Sequence, residues 1–165
     1  MAVRLQNKFF AIALLALAIN PATADTKPNP NQNPNIGTWK LNLEESIPPQ
    51  GKKFHPYTVV IKSGSPTLVD FTYTNIDDNG NKVEFNYKAP PDGQVRDIPG
   101  IPGLKGSMTL LPSGIMDAKL WSPDGTYENK FCILGITLRK QTCLATVTSP
   151  QGDVVFFKQV IDKQD

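Results

Sequence analysis

The sequence predicts an all-β protein, an antiparallel up-and-down barrel of about eight to nine strands. Apolar and polar residues alternate along most segments after residue 36, which is the pattern of strands buried on one face. Turn residues, chiefly glycine, asparagine and proline, separate these segments at regular spacing. Helical periodicity is almost absent, and the predicted inner faces are too aromatic to be left in water.

The first 24 residues are predicted to be a secretory signal peptide. Arg4 and Lys8 precede an apolar run at 9–19, and Ala22-Thr23-Ala24 supplies the small residues of a cleavage site. The run is shorter than the ~20 residues that a bilayer crossing needs. Residues 25–35 contain nothing apolar to bury, so we expect a disordered leader rich in proline and asparagine. The remainder, 36–165, is predicted to be a single exported domain, periplasmic or secreted.

The charge balance limits the partners. The net charge of +2 comes entirely from Arg4 and Lys8, and without them the chain has 15 basic and 15 acidic residues. A formally neutral chain argues against nucleic acid as a partner, because such proteins present a basic surface. No other apolar run has membrane-spanning length, so we expect no transmembrane segment after signal cleavage.

The most informative stretch is LVDFTYTNIDDNGNKVEFNYKA, which predicts a hairpin. A two-residue loop would mix aromatic and polar side chains on both faces. A three-residue loop with a left-handed Gly80 instead pairs Phe71 with Tyr87 and Tyr73 with Phe85, and the polar residues share the opposite face. A slip of one residue exchanges the two faces, so hydrophobicity selects the second register.

The segments around this hairpin are predicted from the same alternation. Residues 36–43 and 55–62 are expected to be strands, joined by a loop at 44–53. Residues 90–105 are dense in proline and glycine and are expected to form a loop, with a short strand at 94–98. This loop is the natural lid of a barrel.

A second hairpin is predicted about Pro112-Ser113-Gly114, again with a three-residue loop. Its inner face is apolar and its outer face is polar, as in the first hairpin. The expected inner pairs are Leu110 with Met116, Met108 with Ala118 and Gly106 with Leu120.

The next turn, SPDGT, is predicted to differ. A three-residue loop here would set Leu120 opposite Glu128, so we favour a loop of two or four residues. That register turns Tyr127, Asn129 and Phe131 inward. It also creates two opposite-charge pairs outside, each worth about 0.2–1 kcal/mol. These pairs are Lys119 with Glu128 and Asp117 with Lys130.

Cys132 and Cys143 are predicted to form a disulfide, because an exported chain with two cysteines usually pairs them. The bond would stabilise the fold by about 2–3 kcal/mol on the chain-entropy model. In the favoured register Cys132 faces outward and Phe131 opposes Leu144. The Leu134–Leu138 segment between the cysteines is an apolar hairpin tip. It is expected to be tucked against the barrel end, or else to contact a protein or lipid partner.

The motifs GTWKLNLEES, DG…IPG and QVIDKQ, with the paired hairpins, resemble a family of small exported bacterial proteins with a lipocalin-like, calycin-type barrel. The resemblance covers nearly all of residues 36–164 and implies a fold, but it brings no activity. Gly37-Thr38-Trp39 resembles the G-x-W signature of lipocalins, whose tryptophan closes one barrel end, often against a basic residue from a late strand. The resemblance therefore implies that Trp39 is the barrel plug, with Arg139 as a candidate partner.

No catalytic constellation stands out. His55 is the only histidine, and the chain has no G-x-S-x-G motif, so a nucleophile with an oriented base is not indicated. The carboxylate pairs Glu44-Glu45 and Asp77-Asp78 lie at a strand end and in a turn, where nothing indicates the shifted pKa that acid–base catalysis requires. We expect no enzyme, no cofactor and no metal site.

The inward side chains are the remaining candidate site. Their composition fits a small-molecule pocket and also fits a filled core. The leading hypothesis is a barrel that binds a small apolar or amphipathic ligand, oriented by Tyr73, Tyr127 and Asn129. The alternative is a non-enzymatic protein-interaction module with a solid core. The expected ligand-binding residues are Tyr73, Phe85, Tyr87, Met108, Met116, Leu120, Tyr127, Asn129 and Phe131.

Overall fold

A computed structural model describes residues 33–77, 79–111 and 115–164. These residues form ten strands, one or two more than predicted. The predicted signal peptide and residues 25–32 lie outside the described residues. The strands are β1 Gly37–Leu41, β2 Tyr57–Ser65, β3 Leu68–Ile76, β4 Lys82–Ala89, β5 Arg96–Asp97, β6 Lys105–Leu110, β7 Met116–Trp121, β8 Tyr127–Leu134, β9 Lys140–Thr148 and β10 Val154–Gln164.

All ten strands belong to one antiparallel sheet in the order β4-β3-β2-β1-β10-β9-β8-β7-β6-β5. The sheet curls until its two edge strands, β4 and β5, face each other across a seam. Packed side chains close this seam, with Tyr87 of β4 against Ile98, Leu104 and Met108. Beyond the end of β4 the Gly93 N–H donates to the Met108 carbonyl at 3.0 Å. The predicted all-β barrel is therefore confirmed. Among the described residues no helix has the length and hydropathy that a membrane crossing requires.

Both hairpin registers predicted from hydrophobicity are confirmed. In the first, Phe71 pairs with Tyr87 and Tyr73 with Phe85, and Gly80 has a left-handed φ of 81°. The paired rings stack with centroids 5.6 Å and 5.1 Å apart. The second hairpin has the predicted pairs Leu110 with Met116, Met108 with Ala118 and Gly106 with Leu120.

The register predicted between β7 and β8 is wrong by one residue. Leu120 lies opposite Glu128, the pairing that hydrophobicity disfavoured. The reason is the turn: the Ser122 N–H donates to the Thr126 carbonyl at 2.8 Å, and Gly125 has a φ of 87°. Asp124 Oδ1 accepts the Thr126 N–H at 2.9 Å. This is the same three-residue loop as in the first hairpin, and its geometry outweighs side-chain alternation.

The corrected register reverses the faces of β8. Tyr127, Asn129 and Phe131, all predicted to point inward, lie on the outer face; Phe131 is 44% exposed. The inward side chains of β8 are instead Glu128, Lys130 and Cys132, which pair with Leu120, Ala118 and Met116 of β7. The predicted outer pair of Lys119 with Glu128 is therefore absent.

The predicted disulfide between Cys132 and Cys143 is present, with the sulfur atoms 2.04 Å apart. The two cysteines lie directly opposite on β8 and β9, as predicted. Their orientation is not as predicted, because both are almost fully buried inside the barrel. Their neighbours Phe131 and Leu144 pair on the outer face instead.

Trp39 is fully buried in a cluster with Tyr57, Ile61 and Ile161. Its indole Nε1 donates to the Asn35 carbonyl at 2.8 Å. The late-strand basic residue over its ring is Lys163 of β10, whose Nζ lies 5.6 Å from the ring centroid.

Asn33, Pro34 and Asn35 belong to the barrel, although they were predicted to end the disordered leader. The Pro34 carbonyl accepts the Lys163 ammonium at 2.9 Å, and Asn35 Oδ1 accepts the Gln141 amide at 2.7 Å. These residues are fixed without burying a large apolar side chain, because their carbonyl and amide groups satisfy polar groups around Trp39. Residues 33–35 are therefore fixed to the barrel in the described part of the chain.

The apolar tip at Leu134–Leu138 is only partly tucked in. Leu134 packs against the Trp39 cluster, and Leu138 is half-buried with a positive φ of 59°. Ile136 is fully exposed at the turn. A partner contact at Ile136 stays a prediction.

Candidate ligand-binding site

The barrel encloses a cavity of about 280 Å³ between β2–β4 on one side and β6–β10 on the other. This volume lies just below the ~300 Å³ at which ordinary small-molecule pockets begin. The barrel interior is therefore not completely filled by its own side chains. The cavity has room for one small molecule.

One wall of the cavity is apolar and partly aromatic. It is formed by the inner faces of the two correctly predicted hairpins and of β2, where alternation places every second side chain inside. Tyr73 stacks on Phe85 with ring centroids 5.1 Å apart, so this wall contains a pair of packed aromatic rings. The apolar wall consists of Val59, Ile61, Phe71, Tyr73, Phe85, Met108, Leu110, Met116, Ala118 and Leu120.

The opposite wall, on β8, β9 and β10, is polar. Lys130 Nζ lies 2.8 Å from Glu128 Oε1, and the two side chains are 23% and 29% exposed, respectively. An ion pair inside a barrel costs desolvation free energy unless water or ligand groups solvate it. The polar wall consists of Glu128, Lys130, Gln141 and Gln159, with the disulfide between Cys132 and Cys143 among them.

Two tyrosines connect the walls. Tyr57 and Tyr73 pack with ring centroids 5.1 Å apart, and both line the cavity. Burial raises the pKa of Tyr73 to about 12 against the opposing effect of the Lys130 ammonium, and the Glu128 carboxylate adds a smaller increase. Burial, and then the charge of Glu128, also raises the pKa of Tyr57. Both hydroxyls therefore stay protonated and can donate to a ligand.

The two glutamines of the polar wall each carry an unsatisfied oxygen. Gln141 is 4% exposed and Gln159 is 7% exposed, and the side-chain Oε1 of each is buried without a hydrogen-bond partner. The Gln141 Nε2 donates to Asn35 Oδ1 at 2.7 Å, so the Oε1 of Gln141 is the side-chain atom without a partner. Buried polar atoms are normally paired, so these oxygens mark a site for a donor.

The predicted site residues divide into three groups. Tyr73, Phe85, Met108, Met116 and Leu120 line the cavity. Tyr87 points inward but belongs to the packed seam cluster. The β8 side chains Tyr127, Asn129 and Phe131 are outside, as described above.

Sequence reasoning missed the whole polar wall. Glu128 and Lys130 were assigned to solvent because charged residues are seldom buried. The turn sequence SPDGT was the signal that could have placed them, since it matches the loop of the first hairpin. Gln141 and Gln159 gave no signal, because the faces of β9 and β10 depended on the wrong register.

The disulfide is part of the polar wall, and its removal is expected to destabilise the fold. We expect the free energy of unfolding of the double variant C132A/C143A to be about 3 kcal/mol lower than that of the parent. The two cysteines are 11 residues apart, and the bond between them restricts this loop in the unfolded chain. Urea denaturation followed by circular dichroism measures the difference. Parent protein with dithiothreitol should show a similar loss, and no loss in either experiment would contradict the assignment.

The outer face of β8–β10 carries a second concave feature, a groove of about 530 Å³. Its apolar side chains are well exposed, from 44% for Phe131 to 75% for Phe156. Monomeric proteins seldom expose apolar patches larger than a few hundred Å². We call this the outer patch; it comprises Ile47, Phe131, Leu144 and Phe156.

No protein-family model matches the chain, and no curated protein matches its sequence. Solved structures do resemble its fold. A mutant of the fluorescent protein UnaG has a TM-score of 0.53 at 16% identity, with 80% of this chain and 98% of that chain covered. A redesigned β-barrel has a TM-score of 0.52 at 12% identity, with 80% and 93% covered.

The S-type phycobiliprotein lyase CPES from Guillardia theta is similar to the same degree. Its TM-score is 0.52 at 11% identity, with 80% of this chain and 89% of that chain covered. Identities this low carry the architecture and no activity. The fold of this chain is therefore that of calycin-like β-barrels.

Proposed function

We propose that this protein is an exported lipocalin-like barrel that binds one small amphipathic molecule without catalysing its reaction. The observation that carries the proposal is the division of the cavity into an apolar wall and a polar wall. We also propose that it belongs to the exported bacterial family that its GTWKLN motif resembles. The disulfide is consistent with a periplasmic or secreted location.

The apolar wall would supply most of the affinity. Burying roughly 200 Å² of apolar ligand surface contributes about 5 kcal/mol, which must exceed the loss of translational and rotational freedom. Apolar burial alone therefore supports an affinity no tighter than about 0.2 mM, and hydrogen bonds to the polar wall would supply further affinity together with orientation. Glu128 and Lys130 take the orienting role that was first given to Tyr127 and Asn129.

The seam between β4 and β5 is the proposed access route. Phe85 lines the cavity and also lines a groove on the outer surface. Pro99 of the β5–β6 loop lines the same outer groove. In the described residues β4 and β5 are not hydrogen-bonded to each other, so separating these two strands would break no pairing between them. The loop first interpreted as a lid thus covers the seam, and rotation of Phe85 would admit a ligand.

Native mass spectrometry of the protein purified from its own host tests the proposal. We expect a second peak heavier than the bare chain by the mass of one small molecule, lost on denaturation. Titration with the neutral fluorescent amine N-phenyl-1-naphthylamine should show one saturable site on protein stripped of this molecule. Bare protein with no saturable probe site would contradict ligand binding.

A second candidate function is self-association through the outer patch. A row of cross-strand neighbours runs through the outer patch, in the order Asp117, Phe131, Leu144 and Lys158 across β7–β10. A dimer with its twofold axis at the middle of this row would place the aspartate of each protomer beside the lysine of the other. The cavity contradicts the solid core of the alternative hypothesis, but the patch supports its interaction surface. Sedimentation velocity would show dimers that Leu144→Asp abolishes, whereas Val95→Asp, which changes an exposed residue elsewhere, would not.

A further inference from the structure

The polar wall restricts the chemistry of the molecule that the barrel takes. We infer that the ligand is electrically neutral and carries an N–H or O–H donor on one edge, and that it is not a carboxylate. This inference rests on the proposed function and names the ligand class of the same cavity. The observations that carry it are the free oxygens of the polar wall and the balance of its charges.

The buried polar atoms of this wall that lack a partner are acceptors. Gln141 and Gln159 are each more than nine-tenths buried, line the cavity and present an unpaired Oε1. The Glu128 carboxylate adds further acceptor sites beside them. A ligand donor would satisfy at least one of these oxygens, whereas a ligand acceptor would leave them unpaired and meet lone pairs.

The charges inside the cavity already cancel. Lys130 and Glu128 are the charged side chains among the residues that line it, and their charged atoms are 2.8 Å apart. A ligand carboxylate could reach Lys130 only by competing with Glu128 and would add a second negative charge beside it. Like charges in a site of low polarity repel strongly. A neutral ligand leaves the ion pair intact.

The opposite wall determines the rest of the molecule. The stacked rings of Tyr73 and Phe85 and the side chains around them offer an apolar surface with no fixed charge. An aromatic ring fits this surface, because aromatic rings pack favourably against one another in offset or edge-to-face arrangements. The expected ligand is therefore an aromatic molecule with its donor on the edge that faces β8–β10.

Three naphthalenes test the inference on stripped protein by isothermal titration calorimetry. 2-Naphthol carries the donor, 2-methoxynaphthalene has the same donor capped, and 2-naphthoate replaces it with a negative charge. We expect 2-naphthol to bind about tenfold or more tightly than each of the other two, since unmet buried acceptors penalise the capped ligand. Equal affinity for 2-naphthol and its ether, or tightest binding of 2-naphthoate, would overturn the inference.

Two glutamine variants locate the acceptor. Gln159→Leu should reduce the preference for 2-naphthol over its ether severalfold, and Gln141→Leu should do the same if its oxygen also accepts. Gln151→Leu changes an exposed loop glutamine and should leave the preference unchanged. A preference that survives in the double variant Q141L/Q159L would overturn the assignment of these oxygens.

The outcomes separate this inference from the function on which it rests. If all three naphthalenes bind but without preference, the barrel binds small molecules and the inferred ligand class is wrong. If none binds and the neutral probe N-phenyl-1-naphthylamine also fails, the cavity does not bind ligands and both conclusions fall.

Discussion

Replacing Trp39 with alanine is expected to lower the free energy of unfolding by about 3–5 kcal/mol, the range measured for large aromatic residues in cores. The indole is fully buried and is packed by Tyr57, Ile61 and Ile161. Its loss would also leave the Asn35 carbonyl without the Nε1 donor. A domain stabilised by 5–15 kcal/mol would lose a large fraction of its stability.

Urea denaturation monitored by circular dichroism measures this loss. Trp121→Ala is the matched control, because Trp121 is half-buried on the outer face and packs against Tyr127 at a tilt, with ring centroids 5.2 Å apart. We expect that control to cost about 1 kcal/mol. Trp39→Phe should fall between the two, since it keeps an aromatic ring and loses the hydrogen bond. Equal losses at Trp39 and Trp121 would mean that Trp39 does not close the core.

The two hairpins were predictable because independent signals agreed in each of them. Alternation and a glycine at the third loop position selected the register that pairs Phe71 with Tyr87 and Leu110 with Met116, and aromatic pairing was a third signal in the first hairpin. A one-residue slip would have exposed an entire apolar face to water. Agreement between turn chemistry and side-chain pattern is what makes a register readable from one sequence.

The next hairpin was not predictable by the same rule, because its signals disagree. Turn chemistry at Gly125 selects a three-residue loop, whereas alternation favours placing Tyr127 and Phe131 inside. Alternation failed because the inner face of β8 is not apolar: Glu128 and Lys130 neutralise each other across 2.8 Å. A sequence rule that assigns charge to solvent will misplace a strand wherever the interior contains a polar wall.

This failure is informative about function. A domain that needed only stability would gain by filling its interior with apolar side chains, because replacing a buried ion pair in this way is often neutral or stabilising. Here the polar residues face an open cavity together with two glutamines that lack partners for their Oε1 atoms. Local departures from good packing of this kind concentrate at functional sites. The region of the sequence that resisted prediction is thus the polar half of the candidate site.

Filling the cavity is expected to abolish ligand binding and leave the fold intact. Ala118 points inward from β7 between Met108 and Lys130 and lines the cavity. In Ala118→Trp the indole would occupy the space of about 280 Å³ that a ligand requires. We expect the neutral probe N-phenyl-1-naphthylamine to bind roughly 100-fold more weakly, a difference of about 2.7 kcal/mol. Fluorescence titration of the parent and the variant measures it.

The neighbouring residue supplies a control with the opposite geometry. Lys119 follows Ala118 on the same strand and points outward, where its side chain is 38% exposed. Lys119→Trp therefore adds the same indole outside the barrel and should bind the probe as tightly as the parent does. The unfolding free energy of Ala118→Trp should change by less than about 3 kcal/mol, the usual limit for overpacking. Adjacent residues of a strand point to opposite faces, so an internal site would be blocked in Ala118→Trp and left open in Lys119→Trp. Probe binding that survives in Ala118→Trp, or is lost equally in both variants, would contradict an internal site.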